Sequence, residues 1–160
     1  MHANSGKVVC TQIYLLKGKR VCLPLKKRGF GMGWHNGYGG KVKPTESLEA
    51  GAKRELFEES GVKAGSLEKK AILNFVFLQT GKEIESHVYW CEEFMGLPQE
   101  TNEMQPFWFG FKQVPYEKMW PDDKYWFPRF LAGEKFRAEF EFLDDKPTIG
   151  KYGIKILDSI

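Results

Sequence analysis

No run in this 160-residue chain approaches the roughly 18 apolar residues of a membrane-spanning helix. The opening MHANSGKVVC also lacks the apolar segment and small-residue cleavage site of a secretory leader. The expectation is a soluble, unsecreted protein with no membrane partner. It would reside in the cytoplasm, with the mitochondrial matrix and nucleus also open. Cysteine is scarce. Cys10, Cys22 and Cys91 are an odd number, far apart, each within an apolar strand-like stretch, so a disulfide framework is excluded and reduced core residues are expected. No dense Lys/Arg tract accompanies the net charge of +3, which argues against stable duplex binding and suits a small anionic ligand. Neither GxxxxGK[ST] nor a correctly spaced GxGxxG occurs, and no histidine pairs with cysteine or histidine at zinc-ligand spacing. RGFG at Arg28–Gly31 imitates the start of an RNA-recognition motif, but Met32-Gly33-Trp34 breaks it. With no repeat, linker or low-complexity tract, residues 1–160 read as one domain, and a monomer is expected.

What is present is a mixed α/β pattern. KVVCTQIYLL and RVCLPLKK flank Lys17-Gly18 as a β-hairpin. Six glycines then fall between Gly29 and Gly40, a density that suits tight turning or close approach to a ligand. A helix follows from about Ser47, a plausible N-cap, to Ser60, with Gly61 and Val62 closing it. ILNFVFLQ, HVYWCEEF, PFWFGFK and FRAEFEFL read as strands, and a short aromatic helix is expected around DDKYWFPRFLAG. His87 reads as a satisfied strand residue.

The helix poses a physical problem. Glu55, Glu58 and Glu59 crowd into an arc of roughly 100° at the edge of the apolar stripe Leu48, Ala52 and Leu56. Like charges at such spacings repel by ~0.2–0.5 kcal/mol per pair. A solvated face would set glutamates opposite the stripe among lysines. Oxygen ligands converging from one face are instead what a hard divalent cation requires.

The spacing continues beyond the helix. GKVKPTESLEAGAKRELFEESGV runs Gly40, five residues, Glu46, seven residues, Arg54-Glu55, Leu56, one residue, Glu58-Glu59, one residue, Gly61-Val62. At average residue usage, coincidence would produce this in about 10⁻⁷ of such chains. It resembles the Nudix box at every defined position. That resemblance implies an α/β/α sandwich with a mixed, curved sheet and a metal-dependent pyrophosphohydrolase using Mg²⁺, with Mn²⁺ as an alternative. KKRGFG, NGYGGKV, NEMQPFWF, MWPDD and YWFP further resemble the animal MutT homologues, which hydrolyse oxidised purine nucleoside triphosphates such as 8-oxo-dGTP and 2-oxo-dATP.

The resemblance places metal ligands at Gly39, Glu55, Glu58, Glu59 and Glu103, with Arg54 orienting the glutamates and Glu58 or Glu59 as general base. It places Lys26 at the triphosphate, and Asn36 with Asp122 and Asp123 at the base. Thr11, Phe30, Tyr38, Gly40, Lys41, Phe75, Phe77 and Trp120 complete the implied substrate site. Adjacent aspartates before a helix are more often caps than base readers, although the flanking MWP and YWFP shift that balance. At least two of Phe75, Phe77, Trp120 and Trp126 are expected in ordinary core. Departures from the family pattern are Trp34-His35-Asn36 for Arg-Trp-Asn, Tyr38 for Phe, and Ile84 for Met. Beside the oxidised-purine reading stand a Nudix enzyme for another diphosphate (a dinucleotide, nucleotide sugar or diphosphoinositol phosphate) and a non-catalytic nucleotide or RNA binder. The intact glutamates argue against the binder, and the WPDD segment against the other enzyme.

Overall fold

The computed structural model describes residues 6–143 and 148–160. The first five residues of MHANSGKVVC, His2 among them, lie outside the described residues. β1 (Lys7–Lys17) turns at Gly18, whose φ of 61° lies in the left-handed region, into β2 (Arg20–Cys22), and Leu16 pairs with Val21. The hairpin is where the pattern places it. Its second arm is shorter, because Pro24 has no N–H to continue a ladder. The chain resumes as β3 (Leu25–Lys26), paired elsewhere.

The helix α1 (Leu48–Ser60) has the expected ends. The Ser47 hydroxyl accepts from the Ala50 amide at 3.1 Å, and Gly61, left-handed at φ 77°, donates its N–H to the Phe57 carbonyl. There follow β4 (Lys63–Ala64), β5 (Glu68–Phe77), β6 (Lys82–Cys91), β7 (Phe94–Met95), β8 (Met104–Gln105) and β9 (Trp108–Gly110). Two short 3₁₀ turns lead to α2 (Asp123–Leu131), β10 (Lys135–Phe142) and β11 (Ile149–Leu157). The main sheet runs β11-β10-β5-β6-β1-β2-β9, mixed in direction: β1 lies parallel to β6, β5 parallel to β10, and β5 antiparallel to β6. The pattern does not announce β11, an edge strand that is mostly exposed and contains Gly150 and Gly153.

Strand alternation divides the core between the two faces of the sheet. Ile13, Leu15, Tyr89 and Cys91 meet Ala52 and Leu56 of α1 on one face. On the other, Tyr14, Leu73, Val88, Phe136 and Phe140 meet Trp126, Phe127 and Phe130 of α2. The arrangement is an α/β/α sandwich. Cys22 and Cys91 are buried free thiols, as expected, but Cys10 is only half-buried, because its position in β1 faces a pocket rather than a helix.

Candidate active site

Arg54 resolves the crowding of glutamates. Its guanidinium donates to both oxygens of Glu46, Nη2 to Oε1 at 2.7 Å and Nε to Oε2 at 3.0 Å, a two-pronged contact. Nη1 reaches Glu55 Oε1 at 3.0 Å and Glu58 at 3.3 Å, and Nη2 reaches the Lys41 carbonyl. One cation therefore sits between the carboxylates that would otherwise repel. Glu46, bonded to Arg54 and to the Lys43 amide, is held down at about 2.

Glu59 is differently placed. It is 7% exposed, and Oε1 accepts from the Gly39 amide at 2.9 Å. Burial, and then the negative charges of Glu55 and Glu103, push its carboxyl up to about 8 against the pull of the Gly39 amide and Lys26. Gly39 is forced: at φ 141°, a Cβ there would stand 1.9 Å from the Thr11 carbonyl oxygen. A Cβ at Gly40 would meet the Glu55 carboxylate at about 2.8 Å. The glycine turn thus presses backbone against both β1 and the acidic face of α1.

Glu103, on the loop before β8, is held by Arg28, which donates from Nη2 at 2.7 Å and Nε at 2.9 Å. The same loop is tied to the end of α1 by the Thr101 hydroxyl, which donates to the Glu59 carbonyl. Among the described residues no three carboxylate, thiol or imidazole groups stand close enough to chelate an ion as arranged. The donor chemistry nevertheless fits one. Glu59 is a buried carboxylate in the negative field of two others, which a hard cation with oxygen ligands would relieve.

Beside this acidic face lies a pocket on the α2 side of the sheet. Nine residues expected at the site line it together: Lys26, Phe30, Asn36, Gly39, Phe75, Phe77, Trp120, Asp122 and Asp123. Phe30 packs on Trp120 at 4.9 Å and meets the edge of Phe77, so Phe75, Phe77 and Trp120 are walls, whereas Trp126 is wholly core. The pocket has a direction. On β1, Tyr14 packs against Trp126 and Phe127 of α2, whereas Cys10 pairs with Lys41, next to Gly40 and the Glu55 carboxylate it meets.

Asp122 and Asp123 are 2% and 4% exposed. Asp122 stands at the N-cap position of α2 but makes no capping bond; Oδ2 accepts instead from the Trp126 indole at 2.8 Å. Burial raises both carboxyls, and the neighbouring Asp122 charge raises Asp123 further.

Other expected residues are not brought to the pocket. Tyr38 is fully buried in the core beneath α1, its hydroxyl near the Cys22 sulfur, because the Tyr38 amide and carbonyl pair with Ile13 and turn the ring away. Thr11 is buried between Cys10 and Gln12, so alternation sends its side chain to the opposite face. Gly40 contributes backbone to β1, and Lys41 is exposed at the rim. Of the departing residues, His35 is structural, its Nδ1 donating to the Leu23 carbonyl at 2.7 Å, whereas Ile84 lines the pocket. His87 is only half satisfied: Nε2 donates to Glu85, and Nδ1 has no partner among the described residues. The reading of residue types passes over Cys10, Gln12, Gly37, Ser86, Met104 and Phe142, which also line the pocket. The period-2 pattern of β1 and β6 is the signal that links Cys10 to Gln12 and Ile84 to Ser86.

A family model described as the NUDIX domain matches residues 7–130. A mouse (Mus musculus) protein named oxidized purine nucleoside triphosphate hydrolase is 43% identical over 149 residues, covering 93% of this chain and 95% of that protein. A zebrafish (Danio rerio) protein of the same name is 39% identical over 132 residues, covering 82% and 85%. Among solved structures, a MutT protein from Bacillus halodurans superposes with a TM-score of 0.82 at 25% identity, covering 92% of this chain and 97% of that one.

Proposed function

The chain belongs to the NUDIX family of pyrophosphate-bond hydrolases, and from that premise we propose that it converts oxidised purine nucleoside triphosphates to monophosphate and pyrophosphate. The observation that carries the substrate reading is the buried Asp122–Asp123 pair lining one aromatic pocket together with Lys26 and with Gly39, whose amide holds Glu59. Two adjacent buried carboxyls cannot both ionise easily, so one remains a donor while the other accepts. Exchanging the shared proton reverses the two roles. One pocket can then bind an oxidised guanine and an oxidised adenine, whose edges present opposite patterns.

At the other end, Gly39, Glu55, Glu58, Glu59 and Glu103 would hold Mg²⁺. When bound, the ion supplies charge compensation for the phosphates and an acidified water. The chain's own groups do the remainder. Lys26 meets the triphosphate, Arg54 sets the carboxylates in register, and Glu58 or Glu59 accepts the proton of the attacking water. Phe30, Phe75, Phe77 and Trp120 exclude solvent around the base.

The test is a panel of ordinary and oxidised nucleotides with Mg²⁺ in ¹⁸O-labelled water. Oxidised purine triphosphates should be preferred, with monophosphate and pyrophosphate as primary products. Orthophosphate released directly, or a preference for a nucleotide sugar or dinucleotide, would refute the proposal.

A further inference from the structure

Five buried side-chain atoms lack a hydrogen-bond partner among the described residues: Thr11 Oγ1, Gln12 Oε1, Asn74 Oδ1, Ser86 Oγ and His87 Nδ1. Such atoms are few in folded proteins, because a buried polar group without a partner costs about 1–3 kcal/mol. Strand alternation separates these five. Thr11, Asn74 and His87 alternate onto the α1 face, whereas Gln12 and Ser86 belong to the α2 face and line the pocket. Ser86 is 3% exposed.

Their place within the pocket is defined. On β1, Gln12 lies between Tyr14, which packs on Trp126 and Phe127 of the helix that the aspartate pair opens, and Cys10, which pairs with Lys41 beside Gly40 and Glu55. Ser86 is the register partner of Cys10 on the adjacent β6, two positions along from Val88, the partner of Gln12. A nucleotide whose base edge meets Asp122 and Asp123, and whose phosphates run towards Lys26, sets its five-membered ring over this floor. Oxidation at C8 gives that ring an N7–H donor beside a C8=O acceptor, the pattern of a lactam. A carboxamide matches it with two parallel hydrogen bonds, Oε1 accepting from N7–H and Nε2 donating to O8. An unmodified purine offers only the N7 acceptor there and pairs with one end of the amide at most.

We infer that Gln12, backed by the Ser86 hydroxyl, is a second reading head in the pocket, specific for the oxidised imidazole edge of an 8-oxopurine. The aspartate pair admits more than one base edge; Gln12 selects the lesion. This rests on the oxidised-purine reading of the site. Among the described residues neither side chain bonds to another part of the protein, so replacing them removes no hydrogen bond from the fold.

The experiment compares wild type, Gln12→Leu and Ser86→Ala on 8-oxo-dGTP, dGTP, 8-oxo-GTP and 2-oxo-dATP, with melting curves as a check on folding. Gln12→Leu should lower the kcat/KM ratio of 8-oxo-dGTP to dGTP about fivefold, the one hydrogen bond by which the oxidised edge exceeds the ordinary one. Ser86→Ala should shift it less, in the same direction. The 2-oxo-dATP rate, from a base whose N7/C8 edge is unmodified, should fall no further than that of dGTP. Binding of 8-oxo-dGMP against dGMP, by calorimetry, should move with the kinetic ratio. An unchanged ratio, an equal loss on 2-oxo-dATP, or a change that follows 8-oxo-GTP against 8-oxo-dGTP, and so reads the sugar, would overturn the inference and leave the proposed function standing. A wild type that hydrolyses no oxidised purine would overturn both.

Discussion

The indole Nε1 of Trp126 donates a 2.8 Å hydrogen bond to Asp122 Oδ2 one turn earlier on α2, fixing a buried carboxylate acceptor directly beside Asp123. The bond favours charge on Asp122, while burial and then that charge push the Asp123 carboxyl well above the usual carboxylate range. A group at the head of a helix, where a solvated cap would be ordinary, is thereby made part of the pocket.

Stability should depend on that proton. Asp123's pKa is higher in the folded protein than in the unfolded chain, so folding takes up a proton. Its contribution is fully present below the unfolded value of ~4 and is lost as pH rises towards the folded one. Asp123→Asn removes the ionisation and should raise stability at pH 7 relative to wild type while flattening the decline above pH ~4. Urea titrations from pH 4 to 8 measure it; identical slopes for wild type and variant would contradict the raised carboxyl.

Substrate breadth should follow the same pair. Asn cannot exchange donor for acceptor at one atom, so Asp122→Asn and Asp123→Asn should each narrow the preference between 8-oxo-dGTP and 2-oxo-dATP, and differently. Asp123→Ala should weaken both by ~1–3 kcal/mol, leaving the base edge unpaired. The readout is kcat/KM for both substrates from pH 5 to 9. A constant ratio and pH profile across all four proteins would reduce the pair to a structural role.

Glu59→Gln should separate stability from activity. The Gly39 amide can still donate to the new side-chain carbonyl, and a buried carboxyl whose ionisation is opposed by burial, Glu55 and Glu103 is removed. Melting without metal should be unchanged or higher, and hydrolysis at saturating Mg²⁺ lower by at least ~100-fold. Turnover near the wild-type rate would defeat the assignment of Glu59.

Arg54→Lys keeps the charge but loses the fork that spans Glu46, Glu55 and Glu58. Partly exposed pairs contribute little, so the loss of stability should be about 1 kcal/mol. The larger effect should be on kcat/KM, about tenfold or more, as the carboxylates lose their register. Metal titration of activity should show a higher Mg²⁺ requirement; an unchanged one would confine Arg54 to holding the fold.

Turnover itself should vanish in excess EDTA and return with Mg²⁺, because neither the phosphates nor the water is activated without the ion. Full activity in EDTA would remove the acidic face from the reaction.

The sequence alone determined the helix α1 with its Ser47 and Gly61 ends, the hairpin at Gly18, the aromatic helix after Asp122, and the crowding of Glu55, Glu58 and Glu59 on α1, since these are local choices of capping, turning and spacing. Tertiary structure decided which face each strand residue presents. That choice withdrew Tyr38 and Thr11 from the pocket, brought Gln12 and Ser86 to it, and placed β11 at an edge by backbone pairing that its exposed residues do not advertise. It also set Arg54 between Glu55 and Glu58, and Glu59 in a dry, negative setting. Register and burial depend on neighbours distant along the chain, and a period of two carries no mark of which side will be covered by a helix and which left open to a ligand.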